Sequence, residues 1–385
     1  MTTAHTVAVL GLGRMGGAAA ARLAAEGHRV TGWTRSGRSV PGVTAAATPA
    51  AAVADADTVL LALFDGGACH QVLDAIRGAL RPGAVVVNTA TVAPAEAADL
   101  ARRTGPAYVH APFLGSVPAA ASGTLRILAA GEPDALLRAR PVLDALGTVH
   151  PAAGAGAAAA LKLVANAGLA GAVLALGACL RQGDALGLPR TEVLDVLEMG
   201  QLGGLTARKR AFLDGGPAPA TADFTLAALV KDMDLLAAAS GAPLPAATAL
   251  AAAPAAPEAD IAAAAAAPAP DEAVLAPLRA YARGHATGDP AHFRAAFLPT
   301  AHVEGLRDGS FVSWTLDDYC ALFPGRPAPD EDARTRRIDS VDVHGSAATA
   351  RMTLVHGPDR FTDVFLLVRT GDGWRIANKA YHRHT

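Results

Sequence analysis

Thr6-Val-Ala-Val-Leu10-Gly11-Leu12-Gly13-Arg14-Met15-Gly16 decides the fold of the first half of the chain. A run of strand-forming residues feeds a G-x-G-x-x-G loop, and an Ala-rich segment with helical spacing follows at once. Gly11 permits the tight turn, Gly13 lets backbone N–H groups approach a pyrophosphate, and Gly16 lets helix pack closely on strand. The phosphates of a dinucleotide then rest on the helix N-terminus. Such a loop alone is a weak signal. Here Arg29-Val-Thr-Gly-Trp33 reads as the second strand of a βαβ unit, which is the context that gives it weight. Gly11, Leu12, Gly13, Arg14, Met15 and Gly16 are therefore the expected cofactor cradle.

The same region bears on which dinucleotide is bound. An NAD site normally carries Asp or Glu about 20 residues past the loop, to hold the ribose 2′-OH. No carboxylate lies between Glu26 and Asp55. The second strand ends instead in Trp33-Thr34-Arg35-Ser36, with Arg38 just beyond. A planar guanidinium and two hydroxyls suit a 2′-phosphate. Thr34, Arg35 and Ser36 thus point to NADP(H) over NAD(H).

At 385 residues the chain has room for two or three domains. A net charge of −2 gives no electrostatic reason to expect nucleic acid or an anionic membrane as partner. Cys69, Cys179 and Cys320 lie far apart without metal-ligand spacing, so neither a disulfide framework nor a metal site is expected. The start lacks a basic segment followed by an apolar one, which together with the cysteine usage suggests a cytoplasmic protein. Segment 163–180 is apolar enough to span a membrane, but it is built of Ala and Gly, contains Asn166 and abuts Lys162. A buried helix is the expectation there.

Residues 1–153 alternate strand and helix signals. Val59–Leu63, Ala84–Asn88 and Ala107–His110 read as short buried parallel strands built on continuous apolar runs, with later strands at Leu125–Ala129 and Gly147–His150. This is a doubly wound α/β (Rossmann) domain. Strand signals vanish over 154–263, where long Ala/Leu helices form an all-α domain. Residues 264–271 read as an Ala/Pro linker. From 272 to 385 aromatics concentrate, two helical segments (around 272–287 and 290–298) precede alternating strand patterns, and an α+β domain is expected.

With these pieces in place, residues 6 to about 250 resemble the β-hydroxyacid dehydrogenase family, which includes 3-hydroxyisobutyrate dehydrogenases and glyoxylate/succinic semialdehyde reductases. The resemblance rests on Gly11–Gly16, on Ala111-Pro-Phe-Leu-Gly-Ser116 followed by Gly123-Thr-Leu, on Gly154-Ala-Gly156 leading into Lys162-Leu-Val-Ala-Asn166, and on Phe224 with Lys231-Asp232. It implies an NADPH-dependent oxidoreductase acting on a small carbonyl compound or hydroxy acid. It also implies that the helical domains pair into a homodimer. Lys162 would be the general acid/base and Asn166 would orient it; four residues apart on a helix, they share a face. Hydride delivery to a carbonyl leaves an alkoxide, which needs a proton and nearby positive charge. The resemblance places Leu63, Phe64 and Thr91 beside the cofactor. It gives Gly115, Ser116 and Ser122 to the substrate, with Lys231 closing over cofactor or substrate and Asp232 fixing it.

Two departures bear on the substrate. Leu114 stands where the family's loop carries a serine that helps bind a carboxylate, and Ala90 replaces the serine of its Ser-Thr pair. A bulkier or less charged carbonyl compound, or an imine, then becomes a candidate. Imine reductases share the Rossmann half and the Trp-Thr/Asn-Arg-Ser/Thr strand end, but generally lack the Lys162–Asn166 pair. A shortened helical domain also leaves open a non-catalytic NADPH sensor or scaffold. The last domain resembles the nuclear transport factor 2-like superfamily, in particular its SnoaL-like and lumazine-binding-like group. That resemblance rests on Tyr281–Asp289, Phe297, His302, Phe361-Thr-Asp-Val-Phe and Trp374–His382. It implies a cone-shaped α+β fold with Trp314, Tyr319, Asp363 and His382 as candidate pocket residues. Asp363 serves as an acid/base if it faces inward, and is an ordinary solvated carboxylate if it faces outward.

Overall fold

The computed structural model describes residues 4–219, 221–251, 253, 255–266, 272–307 and 309–384. The chain divides into two compact units, Met1–Ala266 and Ala267–Thr385.

The first unit opens with β1 (Thr6–Leu10), α1 (Arg14–Ala25), β2 (Arg29–Trp33), β3 (Thr44–Ala45), α2 (Pro49–Val53) and β4 (Thr58–Leu61). It continues through α3 (Gly66–Ile76), β5 (Val85–Asn88), α4 (Pro94–Thr104), β6 (Tyr108–His110) and β7 (Phe113–Leu114). The sheet ends with α5 (Val117–Ser122), β8 (Leu125–Gly131), α6 (Pro133–Leu146) and β9 (Gly147–Pro151). The strand order is β3-β2-β1-β4-β5-β6-β8-β7, with β9 paired to β8. β1, β2, β4, β5 and β6 run parallel, whereas β8 is antiparallel to β6. β4, β5 and β6 are buried at every residue, as continuous apolar strands covered on both faces must be. Strand order reverses between β1 and β4. Their carboxyl ends therefore frame the crevice where open α/β sheets bind ligands.

Five helices follow: α7 (Ala155–Ala185), α8 (Arg190–Met199), α9 (Gly203–Leu213), α10 (Leu226–Ser240) and α11 (Pro245–Ala251), before a short α12 (Ala262–Ala266). α7 is long and apolar enough to cross a membrane by length and composition. Ala170, Val173, Leu176 and Leu180 on one of its faces are buried in a core with α10 and α12. Its small residues set the spacing: a Cβ on Gly177 would lie 3.0 Å from the backbone of Ala265. Residues 264–266, read from sequence as the start of a linker, are instead the end of α12. Alanine is the best helix former, and here it has an apolar face to cover. Residues 267–271 of that expected linker lie outside the described residues.

The second unit contains α13 (Glu272–Thr287), α14 (Pro290–Ala296), β10 (His302–Arg307), β11 (Ser310–Thr315), α15 (Leu316–Cys320), β12 (Thr335–His344), β13 (Ala347–His356), β14 (Asp359–Thr370) and β15 (Gly373–His384). Its sheet order is β11-β10-β15-β14-β13-β12, antiparallel except for the β10–β15 pair. Along β13, Ala348, Ala350, Met352 and Leu354 are buried at every second residue. They join Leu278, Tyr281, Phe293 and Phe365 in one core.

The Gly loop tests the packing logic directly. A Cβ on Gly16 would fall 1.9 Å from the Gly11 carbonyl oxygen and 2.8 Å from Ala62 Cβ, both on rigid parts of the sheet edge. Gly16→Ala is expected to destabilise the first unit by about 1–3 kcal/mol, as other overpacked cores do. Urea unfolding measures this, and an unchanged midpoint would contradict the assigned loop geometry.

Candidate active site

Three segments meet over the crevice: the loops after β4 and β5, the first third of α7, and the first half of α10. Helix geometry places Lys162 and Asn166 on one face of α7, one turn apart. Lys162 Nζ donates to Asn166 Oδ1 at 3.0 Å. Asn166 is buried, and its amide donates through Nδ2 to Asp232 Oδ2 at 2.6 Å, reaching from α7 to α10. Asp232 is 2 % exposed, and its second oxygen lies 2.8 Å from Lys231 Nζ in an ion pair whose angle is too poor for a hydrogen bond. Lys231 then leaves α10. Its ammonium donates to the carbonyl oxygens of Thr91 (2.9 Å) and Phe64 (3.2 Å) and sits over the exposed Phe64 ring. One polar chain thus runs from Lys162 to the carboxyl ends of β4 and β5.

The chain fixes the orientation of each member. Asp232 can only accept, so Asn166 must present its NH₂ there and its carbonyl to Lys162. Burial pushes the Lys162 ammonium down to about 8, while the Asp232 charge raises it and the Lys231 charge lowers it further. An amine that titrates near neutrality can both give and take a proton.

The G-x-G-x-x-G loop closes tightly on the residue that follows β4. Gly11 has a φ of +102°, and a Cβ on it would meet the Ala62 carbonyl at 2.4 Å. Gly13 is the N-cap of α1 and supplies no side-chain cap, and the first turn carries no acidic residue. The N–H groups at this helix start are thus left for an anion. Arg14, exposed at the loop, donates to the Thr225 hydroxyl at 3.3 Å, and Thr225 caps α10 through Ala228 N. Thr34 follows β2 half-buried, while Arg35 and Ser36 are exposed. Among the described residues no carboxylate pairs with Arg35.

The substrate-side positions separate. β7, with Leu114 half-exposed, packs against α7. Gly115 has a φ of +128°, and a Cβ there would meet Leu125 at 2.9 Å. Ser116 starts α5 as an N-cap whose hydroxyl makes no capping bond. Ser122 is turned back on its own helix, 2.9 Å from the Pro118 carbonyl oxygen and 2.8 Å from the Thr124 hydroxyl, and takes no part in the Lys162 chain. Leu63 and Thr91 are half-buried at the strand ends, but it is the backbone oxygens of Phe64 and Thr91 that make the contacts with Lys231.

Sequence reasoning missed a buried row under the crevice. Asn88 Nδ2 donates to the Tyr108 hydroxyl at 3.0 Å, which lies 3.2 Å from His110 Nδ1. Burial pushes His110 down to about 4, so it is neutral. Polar residues closing otherwise apolar strands (Asn88 and His110) were the available signal. Thr225 and its link to Arg14 were also missed, because capping patterns do not say what else a cap touches.

Comparison with known proteins follows this division. Residues 6–156 match the family model described as "NAD binding domain of 6-phosphogluconate dehydrogenase", and residues 269–382 match one described as "Putative lumazine-binding". The chain is 32% identical over 259 residues to a "Probable 3-hydroxyisobutyrate dehydrogenase" of Mycobacterium tuberculosis, covering 62% of this chain and 88% of the relative. The solved structure of M. tuberculosis 3-hydroxyisobutyrate dehydrogenase with L-serine is 27% identical and superposes with a TM-score of 0.59, over 68% of this chain and 98% of that one. An NTF2-like protein of unknown function from Shewanella baltica is 26% identical, covering 30% of this chain and 93% of its own, with a TM-score of 0.27.

The charge arrangement around Lys162 is measurable without a substrate. Competitive acetylation read by mass spectrometry should show Lys162 half-titrated near pH 8. Asp232→Asn removes the charge that raises it, so the midpoint should move to lower pH. An unchanged or higher midpoint would contradict the electrostatic role given to Asp232.

Proposed function

The chain belongs to the 3-hydroxyisobutyrate dehydrogenase family of oxidoreductases, and from that premise we propose an NADPH-dependent reductase of small carbonyl compounds in which Lys162 is the proton donor. What carries the reading is the chain Lys162–Asn166–Asp232–Lys231, which aims one titratable amine at the crevice holding the cradle. Bound there, the nicotinamide supplies a hydride to the carbonyl carbon. Lys162 Nζ gives its proton to the carbonyl oxygen as the C=O bond becomes C–O–H, and is left as a neutral amine. Asn166 keeps the ammonium pointed at that oxygen. Lys231 holds the Phe64 and Thr91 loops against α10, narrowing the water's access to the reacting atoms.

Three further points support the finer assignment. Arg35, with Thr34 and Ser36, suits the 2′-phosphate. Leu114 beside the substrate loop favours a substrate lacking a carboxylate at that end. The Lys162–Asn166 pair favours carbonyl over imine reduction, because an alkoxide needs a proton donor as it forms. In the reductive direction the ammonium form is active, so kcat/KM should fall as pH rises through about 8. In the oxidative direction the neutral amine is needed, and the rate should rise through the same range.

A carbonyl panel assayed with NADPH and NADH tests this. Lys162→Ala should lower kcat by about 10²–10⁴-fold while leaving NADPH affinity within a few-fold. Unchanged rates would remove the proton donor from the account. Tight NADPH binding with no turnover on any carbonyl or imine would favour a sensor.

A further inference from the structure

Buried polar rows lie in both units. In the second, Asp363 faces inward at 1 % exposure, while His382 lies exposed near the end of β15. Asp363, Lys379 and Tyr281 bond to one another in a closed ring, at 2.6–2.8 Å. The row beneath the crevice of the first unit is not closed in this way. It runs through Asn88, Tyr108 and His110 at the carboxyl ends of β5 and β6, and its upper end bonds to the backbone of the loop after β5.

β5 and β6 pair in register, so Asn88 and His110 lie side by side on one face of the sheet. Tyr108, two residues earlier, shares that face, and its ring stacks on His110 at 6.3 Å. Asn88 and His110 are fully buried. Each group has one orientation open to it. Ala90 N can only donate, and it reaches Asn88 Oδ1 at 3.0 Å, the turn by which an Asn side chain holds backbone two residues on. Asn88 Nδ2 then faces the Tyr108 hydroxyl, which accepts from it and donates in turn to His110 Nδ1 at 3.2 Å. Burial keeps the row uncharged, pushing Tyr108 up and His110 down to about 4. The imidazole proton is left on His110 Nε2, buried and without a partner among the described residues. Apolar residues would fill this space without that cost. What they could not supply is an acceptor for Ala90 N.

That acceptor matters because the residue after Ala90 is Thr91, whose carbonyl oxygen anchors Lys231 at 2.9 Å. On the other side of Ala90, Thr89 is held by β4: its N and Oγ1 both donate to the Leu61 carbonyl oxygen, at 2.9 and 2.8 Å. Asn88 Oδ1 fixes the residue between these two ties. The Asn88 amide also packs on Cys69 Sγ, 3.6 Å away on α3, the helix into which the Phe64 loop leads. Asn88 thus touches the supports of both loops whose carbonyl oxygens hold Lys231.

We infer that Asn88 is a positioning residue, which sets the Thr91 carbonyl oxygen from below and through it the place of Lys231 at the site. Tyr108 and His110 keep the amide turned the way this requires. The bearing on turnover rests on the reaction proposed above, in which Lys231 holds the two loops against α10; the anchoring itself does not.

Competitive acetylation of the full chain at one fixed pH, read by mass spectrometry, tests the anchoring without a substrate. Asn88→Leu fills the space but offers Ala90 N no acceptor. It should raise the acetylation rate of Lys231 about ten-fold, as expected for a lost bond to a charged group. The buried Lys209 and Lys379 should react as before. Asn88→Asp, held neutral by burial, keeps the acceptor and an O–H toward Tyr108, and should restore the slow rate. Tyr108→Phe should fall between the two. In turnover, Asn88→Leu should lower kcat about ten-fold with KM for NADPH within a few-fold, and Asn88→Asp should recover it. Unchanged Lys231 reactivity in Asn88→Leu, an equal rise at Lys209, or no recovery in Asn88→Asp would each overturn the inference. So would a released Lys231 with kcat intact. A released Lys231 in a chain that reduces no carbonyl would support the anchor and count against the proposed reaction instead.

Discussion

A single buried carboxylate organises the first unit. Asp232 sits almost without solvent between Asn166, which it orients, and Lys231, which reaches across to the loops after β4 and β5. A buried charge is tolerated only when paired and hydrogen-bonded. That requirement holds α7, α10 and the two loops in one arrangement, and Lys162 has its direction because Asn166 has no alternative orientation. The Arg14–Thr225 bond makes a second tie, from the Gly loop to the cap of the same helix. The Gly loop and the Lys162–Asn166 pair are thereby both tied to one element, α10.

The helical part achieves this with little bulk. Alanine and glycine let α7 and α12 approach until backbone meets backbone, and a buried ion network of Lys209 with Asp223 and Asp260 (N–O distances 3.0 and 2.8 Å) ties the segment before α12 back to α9. α12 consists of five alanines, so close approach of small residues, with the paired charges just before it, holds this segment in place.

How far this was legible depends on the kind of signal. The βαβ start, the apolar parallel strands and the helices from Glu272 and Pro290 stood in the sequence because each rests on local periodicity or on glycine at a tight turn. The i, i+4 pair Lys162–Asn166 was legible for the same reason. Its partner Asp232 comes 66 residues after Asn166, and a contact at that separation leaves no local pattern; only the family resemblance suggested it. Ser122 was read as a substrate ligand, yet its hydroxyl is satisfied within its own helix. His382 was a candidate pocket residue by family resemblance, and it lies exposed beyond the extra residue that Ala377 makes in β15. Bulges and backbone acceptors such as the Phe64 carbonyl carry almost no side-chain signature.

The central claim is that Lys162 meets the oxygen that gains a proton. Its most direct measurement is a crystal structure of the chain with NADP⁺ and the alcohol product of whichever carbonyl it reduces. The account predicts Lys162 Nζ within about 3 Å of the alcohol oxygen, Asn166 still bridging to Asp232, and the nicotinamide on the opposite side of the reacting carbon. An alcohol oxygen bonded only to water or to α5, with Lys162 directed to bulk solvent, would contradict it.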